Sequence, residues 1–242
     1  MNTAVIAATL RRHKLPSLIA IPGVIVLLAL GSWQVSRHLE RSAENALRAE
    51  RLAERPIAVD QALADPEGNR FRRVEAAGRF DHGHEIHVYA RSLRGNEGYF
   101  ILTPLVREAM PGGRPPILVN RGWVPTSRRD PERRPEGQVA GPVAIEGVLR
   151  TEARQPWLSP DNVPARNQWF WFDLPAMTQV AGIQGAARAY IEAGTAPNPG
   201  GYPLGGQTQE QLVRPHLQYA ITWYLLAGAL AVIYVLYVRR TK

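Results

Sequence analysis

Two long runs without a charged side chain, one near each end of the 242-residue chain, constrain its fold more than anything else in the sequence. Leu15–Val35 holds 21 residues rich in Ile, Val and Leu, and Leu217–Val238 holds 22. About 20 such residues carry an α-helix across the hydrocarbon core of a bilayer. The chain is therefore read as anchored twice, through transmembrane helices over 15–35 and 216–238. Pro22-Gly23 inside the first run predicts a kink and does not void the assignment, because membrane helices tolerate both residues. The second helix begins on His216, an imidazole at the mouth of an apolar span.

The formal charge of +8 suggests a polyanionic partner until it is sorted by position. Arg11, Arg12, Lys14, Arg239, Arg240 and Lys242 flank the two spans, and all 21 acids lie between them against 23 arginines. Short basic flanks stay on the cytoplasmic side, whereas long loops cross regardless of charge. Segments 1–14 and 239–242 are expected in the cytoplasm and residues 36–215 outside it, with no nucleic acid implied. Ala29-Leu30-Gly31 would suit a signal peptidase and Arg11-Arg12 faintly resembles a twin-arginine signal. The apolar run exceeds a signal core and continues as a plausible helix, which favours a retained anchor. The short basic termini and the lack of an arginine- and serine-rich presequence point to a bacterial inner membrane.

Residues 36–215 suffice for one extracytoplasmic domain with a true core. The chain has no cysteine, which excludes disulfide staples, c-type haem attachment, thiol redox chemistry and cysteine-ligated zinc. Ser36–Glu54 reads as a helical continuation of the first span, ended by Arg55-Pro56. A short helix is expected near Val59–Ala64 and a turn at Asp65–Asn69. The hydrophobic period then changes to two. Val74–Phe80 and Glu85–Arg91 predict a hairpin, Tyr99–Val106 and Ile117–Val124 a second pair around Met110–Gly113, and Val143–Arg150 a further strand. Trp169–Phe172 reads as another strand, and Asp173 caps a helix over Leu174–Val180. Glycine and proline over Asn198–Gly206 predict a flexible approach to the second span. The fold class is membrane α+β: two transmembrane helices flanking a mainly antiparallel β domain, a sandwich or partial barrel with a few short helices.

His216, Ala220, Trp223 and Ala227 fall on one helical stripe. One reading makes His216 an interfacial residue within an aromatic belt with Tyr219, Trp223 and Tyr224. The other takes the small residues as room for a flat apolar cofactor, with the neutral imidazole ligating haem iron and Arg214 pairing with a propionate. His82, His84 and His87 are expected on an exposed hairpin, since no three ligands converge by local geometry. Asp81, Glu85 and Glu97 are read as surface acids, and Thr126–Glu136, with four arginines and three acids, as a solvated loop with internal pairing. No GxSxG elbow, HExxH helix or phosphate-cradling glycine loop is present.

Four stretches together resemble the Surfeit locus protein 1 family of cytochrome c oxidase assembly factors. They are Gly78-Arg79-Phe80-Asp81-His82 with Glu85; Val119-Asn120-Arg121-Gly122-Trp123-Val124-Pro125; Asn167-Gln168-Trp169 with Asp173 and Met177; and His216-Leu217-Gln218-Tyr219-Ala220 with Trp223. Their order and the flanking spans match as well, so the resemblance covers nearly the whole chain. It implies a non-catalytic membrane protein that binds haem a transiently and helps place it in the oxidase catalytic subunit, with haem a synthase as a second partner. The histidine implicated in haem a binding in bacterial members corresponds to His216. On this reading the cofactor lies between the spans, with Trp223 against its ring and Gly31, Trp33 and Gln34 forming the opposite wall. Gly78, Phe80, Asn120, Arg121, Gly122 and Trp123 belong to segments that either shape the domain or touch a partner. A haem-independent scaffold and a membrane-anchored enzyme are the rival classes.

Overall fold

The computed structural model describes residues 14–93, 95–107, 115–151, 155–183, 189–207 and 215–240. The chain divides into two units, residues 1–47 with 211–242 and residues 48–210.

The first unit is a helical hairpin. Helix α1 runs over Lys14–Ala53, 40 residues, and the C-terminal helix over His216–Arg240, 25 residues. Both are long and apolar enough to cross a membrane. Pro22 lies inside α1 without interrupting it. Beyond Val35 the same helix continues as a charged rod in which Arg37–Glu40 and Arg41–Glu44 pair at 2.8 Å. Such i,i+3 pairs contribute about 0.2–0.5 kcal/mol each to an exposed helix. The two helices pack antiparallel, because early residues of α1 meet late residues of its partner. Ser17 Oγ lies 2.6 Å from the Tyr234 hydroxyl, and Ser32 Oγ 3.2 Å from that of Tyr224. The remaining faces expose Leu18, Ile25, Leu225 and Ile233, a surface that suits lipid tails and not water.

The second unit is built on one seven-stranded sheet. Its strands are β1 (Ile57–Ala58), β2 (Arg73–Phe80), β3 (Ile86–Leu93), β4 (Asn96–Val106), β5 (Ile117–Pro125), β6 (Pro142–Thr151) and β7 (Ala189–Ala193). Their spatial order is β1-β2-β6-β7-β5-β4-β3. A further antiparallel contact, Arg79 with Val106 and Phe80 with Leu105, joins β2 to β4 and closes β2-β6-β7-β5-β4 into a ring. The partial barrel expected from the turn spacing is thus closed, with β1 and β3 appended at the seam. Two pairings, β1–β2 and β5–β7, are parallel.

Alternation supplies two cores. Val74, Leu105, Val119, Leu149 and Ile191 fill one, covered by Val59 and Ala62 of the short helix α2 (Val59–Leu63). The other faces of β3, β4 and β5 contribute Val88, Leu102 and Leu118, which pack against Trp169, Leu174 and Met177. Leu174 and Met177 lie on helix α3 (Leu174–Val180), whose N-cap Asp173 accepts from Ala176 N at 3.2 Å. The C-terminal helix is α4 in this order.

The strand expectations hold for β4 against β5, but not for the hairpin of Val74–Phe80 with Glu85–Arg91. β2 pairs with β6, and β3 with β4. Sequence neighbours are not partners here because Asp81–Glu85 carries the chain across the seam and not back along one edge. Trp169–Phe172 forms no strand; Trp169 makes one bridge, to Val88. Strand β7, unforeseen in the sequence, sits in the middle of the sheet. The segment expected to be a flexible approach bonds to β5, where Trp123 N donates to Leu204 O at 2.9 Å and Leu204 N returns the bond at 2.8 Å. The Met110–Gly113 turn lies outside the described residues.

Candidate functional site

His216 is the first residue of α4, preceded by Pro215. Proline at a helix start loses no hydrogen bond and fixes the backbone there, which sets where the following side chain emerges. The imidazole Nδ1 lies 2.8 Å from Oε1 of Gln34 on α1. No hydrogen bond from Nε2 to a described residue is formed. An amide oxygen only accepts, so in this contact Nδ1 is the donor, and in that neutral tautomer Nε2 keeps a lone pair. That is the donor a haem iron takes from a protein. The residues at the mouth of α4 therefore fit a haem ligand in kind.

Between the spans the helices meet closely at two glycines. Ala220 and Ala227 are 1% and 2% exposed and lie on the α4 face that meets α1. A Cβ built on Gly31 would meet the Tyr224 ring at 2.6 Å, and one on Gly23 would meet Leu230 at 3.0 Å. Small residues here let two helices approach closely, as they do throughout membrane proteins, so a flat cofactor does not fit at Gly23 or Gly31 themselves. Tyr224 takes the place against Gly31 where a cofactor was expected. Trp33 is half exposed, whereas Trp223 is partly buried on the same α4 stripe as Ala220 and Ala227. Arg214 lies outside the described residues.

A second constellation lies inside the β domain and was not foreseen. Glu85, read as a surface acid, is 8% exposed and Arg134, from the supposedly solvated loop, 2%. Arg134 Nη1 donates to Glu85 Oε1 at 3.1 Å, and its Nη2 to Oε2 at 2.5 Å. His87, expected on an exposed strand face, is also buried. Its Nε2 faces Glu85 Oε2 at 3.6 Å, and its Nδ1 accepts from Arg129 Nε at 3.3 Å. His82 donates from Nε2 to Val139 O at 3.0 Å and turns Nδ1 toward Glu85 Oε1 at 3.6 Å. The loop of residues 126–139 folds over this strand face, which is why polar alternation misreports exposure. Only His84 of the three histidines remains outside, 2.7 Å from Asp81.

Burial alone would raise the Glu85 carboxyl. The His82, His87 and Arg134 side chains and the Arg134 charge outweigh it and hold the group well below the usual carboxylate range. Burial likewise pulls the Arg121 guanidinium down to about 10, with the Glu85 charge opposing and that of Arg134 adding.

Arg121 reaches the cluster through a bulge. Across β4–β5, Ile101 pairs with Gly122 and Leu102 with Asn120, so Arg121 is the extra residue and its side chain turns inward. It stacks 4.6 Å from the Phe80 ring, donates to Gly137 O and Asn198 Oδ1, and lies 3.8 Å from Glu85. Asn120 Oδ1 accepts from Gly122 N at 3.1 Å and clamps the bulge. Gly122 has φ +124°, and a Cβ there would strike Leu204 O at 2.0 Å, so both its backbone and its surroundings demand glycine. A Cβ on Gly78 would meet Val106 O at 2.4 Å, at the barrel seam. Trp123 is buried beside Gly98. Asn167, at φ +50°, donates to Glu85 O at 2.8 Å and accepts from His87 N and Trp169 Nε1.

A model of the SURF1 family matches residues 21–228, which spans both constellations. The chain belongs to the SURF1 family. It is 34% identical over 228 residues to Surfeit locus protein 1 of Xenopus tropicalis, covering 88% of this chain and 71% of that one. The SURF1-like protein of Monosiga brevicollis is 34% identical over 223 residues, covering 88% and 82%. Surfeit locus protein 1 of Homo sapiens is 33% identical over 228 residues, covering 88% and 73%. Three of the four SURF1-like stretches converge at Glu85 of the first: His82 of the same stretch and Arg121 of the second face its carboxylate, Phe80 stacks on Arg121, and Asn167 of the third donates to the Glu85 backbone carbonyl. The fourth, beginning at His216, stands in the helical unit. Only the arginine of the second stretch hinted at the cluster, as a lone charge within an otherwise uncharged strand. Among the described residues no group of three His, Asp or Glu side chains is arranged to hold a metal ion.

Proposed function

We propose that this SURF1 family member is a non-catalytic assembly factor for cytochrome c oxidase. It holds haem a and assists its insertion into the oxidase catalytic subunit, with haem a synthase as the source. The setting is a bacterial inner membrane, with both termini cytoplasmic and the β domain periplasmic, as the basic flanks of the spans favour. The observation that carries the reading is His216: its Nδ1 is tied to Gln34, and its Nε2 is left as a donor at the end of an apolar helix. His216 would hold the haem iron through its Nε2 lone pair, with apolar contact and a propionate-pairing cation supplying the rest. A group that must be handed on is best retained by few bonds, and one imidazole meets that need. Arg214, two residues before His216 in sequence, supplies a cation for a propionate. Trp223, on the stripe of His216 and part-exposed, offers what remains of its aromatic face.

The test is genetic and chemical together. In cells carrying His216→Ala in place of the native gene, the oxidase is purified and its haem a content per catalytic subunit measured. The proposal expects a several-fold deficit. Full occupancy would favour a haem-independent scaffold, a reading also favoured by Trp157 and Leu158, which stand 91% and 75% exposed on the β domain.

A further inference from the structure

Gln34 stands on α1, the helix opposite His216, and makes one specific contact with it, Oε1 to Nδ1 at 2.8 Å. In free imidazole the proton favours neither nitrogen strongly, so a ring at a helix mouth would present Nε2 as acceptor only part of the time. A fixed carbonyl acceptor at Nδ1 removes that ambiguity. We infer that Gln34 is a positioning residue, setting the His216 tautomer and aim so that Nε2 is the permanent donor. The inference rests on reading His216 as the haem ligand.

Three observations favour this role over simple adhesion between helices. Adhesion is already provided along the hairpin, by the Ser17–Tyr234 pair and by the close approaches at Gly23 and Gly31. The Gln34–His216 pair is polar and lies where α4 begins, beyond that tightly packed stretch. It also engages the nitrogen that a ligand does not need. Outer hydrogen bonds to ligating imidazoles raise ligand basicity, and their loss costs about 10- to 100-fold in affinity. The acceptor comes from a different helix than the ligand. Separating the helices would release Nδ1 and weaken the donor, which couples retention of the cargo to the packing of α1 on α4.

Two readouts test it. In the full chain, labelled with 15N-histidine and held in detergent at about pH 8, where an unperturbed imidazole is neutral, the His216 signals are assigned by their loss in His216→Ala. They should show a protonated Nδ1 and a bare Nε2, and Gln34→Leu should move the population toward protonated Nε2. A protonated Nε2 in the unsubstituted protein, or no response to Gln34→Leu, overturns the inference. In protein loaded with haem a, the iron–histidine stretch after photolysis of the ferrous carbon monoxide adduct should rise in Gln34→Glu and fall in Gln34→Leu, with affinity for haem a reduced about 10- to 100-fold in the latter. Gln34→Glu keeps an acceptor of the same reach, so a folded variant remains in hand if Gln34→Leu does not insert. If His216→Ala abolishes the Soret band while both Gln34 variants leave the stretch unchanged, Gln34 has no such role and the ligand reading stands. If His216→Ala leaves the band unchanged, the ligand reading fails and this inference with it.

Discussion

His87 and His216 are both histidines that begin or border a regular element, yet their surroundings differ in kind. Around His87 the chain supplies a neighbour to each nitrogen, Arg129 on one side and Glu85 on the other, within a cluster that also holds Arg121, Arg134 and His82. Around His216 the described residues supply one, Gln34. An imidazole faced on both nitrogens by its own protein is part of the scaffold, whereas one held by a single nitrogen has a donor to offer. The β domain spends its buried charges on holding three segments of the chain together. The helical hairpin holds itself by small residues and, among the described residues, leaves His216 Nε2 without a partner.

That contrast can be broken most directly at Glu85. Replacing it with alanine strands two buried guanidiniums, and loss of one partner of such a pair costs about 3–5 kcal/mol. The midpoint of urea unfolding, followed by tryptophan fluorescence in the full chain, should fall accordingly; a change near zero would mean the cluster is not structural. Gly122→Ala comes next. It forces a Cβ into Leu204 O and an unfavourable φ, at about 1–3 kcal/mol by strain alone, with loss of the Trp123–Leu204 bridge visible as faster amide exchange.

The acid side follows from sign. The Glu85 carboxyl is depressed from its ordinary 4.5 in the folded protein, so its ionised form stabilises the fold above that pH, and the contribution drains away as pH falls below it toward the native value. Stability of the unsubstituted domain should decline steadily below about 4.5, and Glu85→Gln should flatten that slope. An equal slope in both would place the acid sensitivity elsewhere. The smallest effect belongs to His216→Ala, which should lower the free energy of urea unfolding by about 0.5–1.5 kcal/mol, the net worth of its one hydrogen bond to Gln34. A large loss there would make His216 structural and erase the contrast.

The two helices were legible in the sequence because a charge-free run of bilayer length fits little except a membrane span, and α3 because Asp173 announces its cap. The β4–β5 pair was legible from alternation across one turn. The seam between β2 and β4, the central place of β7 and the burial of Glu85 were not. Each depends on partners far away in sequence, and nothing local marks a carboxylate that will meet Arg134 and Arg121. Alternation marked His87 as outward and was right about the face, but the 126–139 loop then covered it. The stripe on α4 was legible too, though not its use. Ala220 and Ala227 read equally well as cofactor space or helix contact until Gly31 is found against Tyr224.

The central claim is that His216 offers Nε2 to the iron of haem a. Its most direct measurement is the absorption spectrum of the purified full chain, expressed with and without haem a synthesis, beside His216→Ala expressed with it. The account predicts a Soret band only where haem a is made, lost or shifted by His216→Ala. An identical band in the alanine variant, or none in the unsubstituted protein when haem a is made, would contradict it.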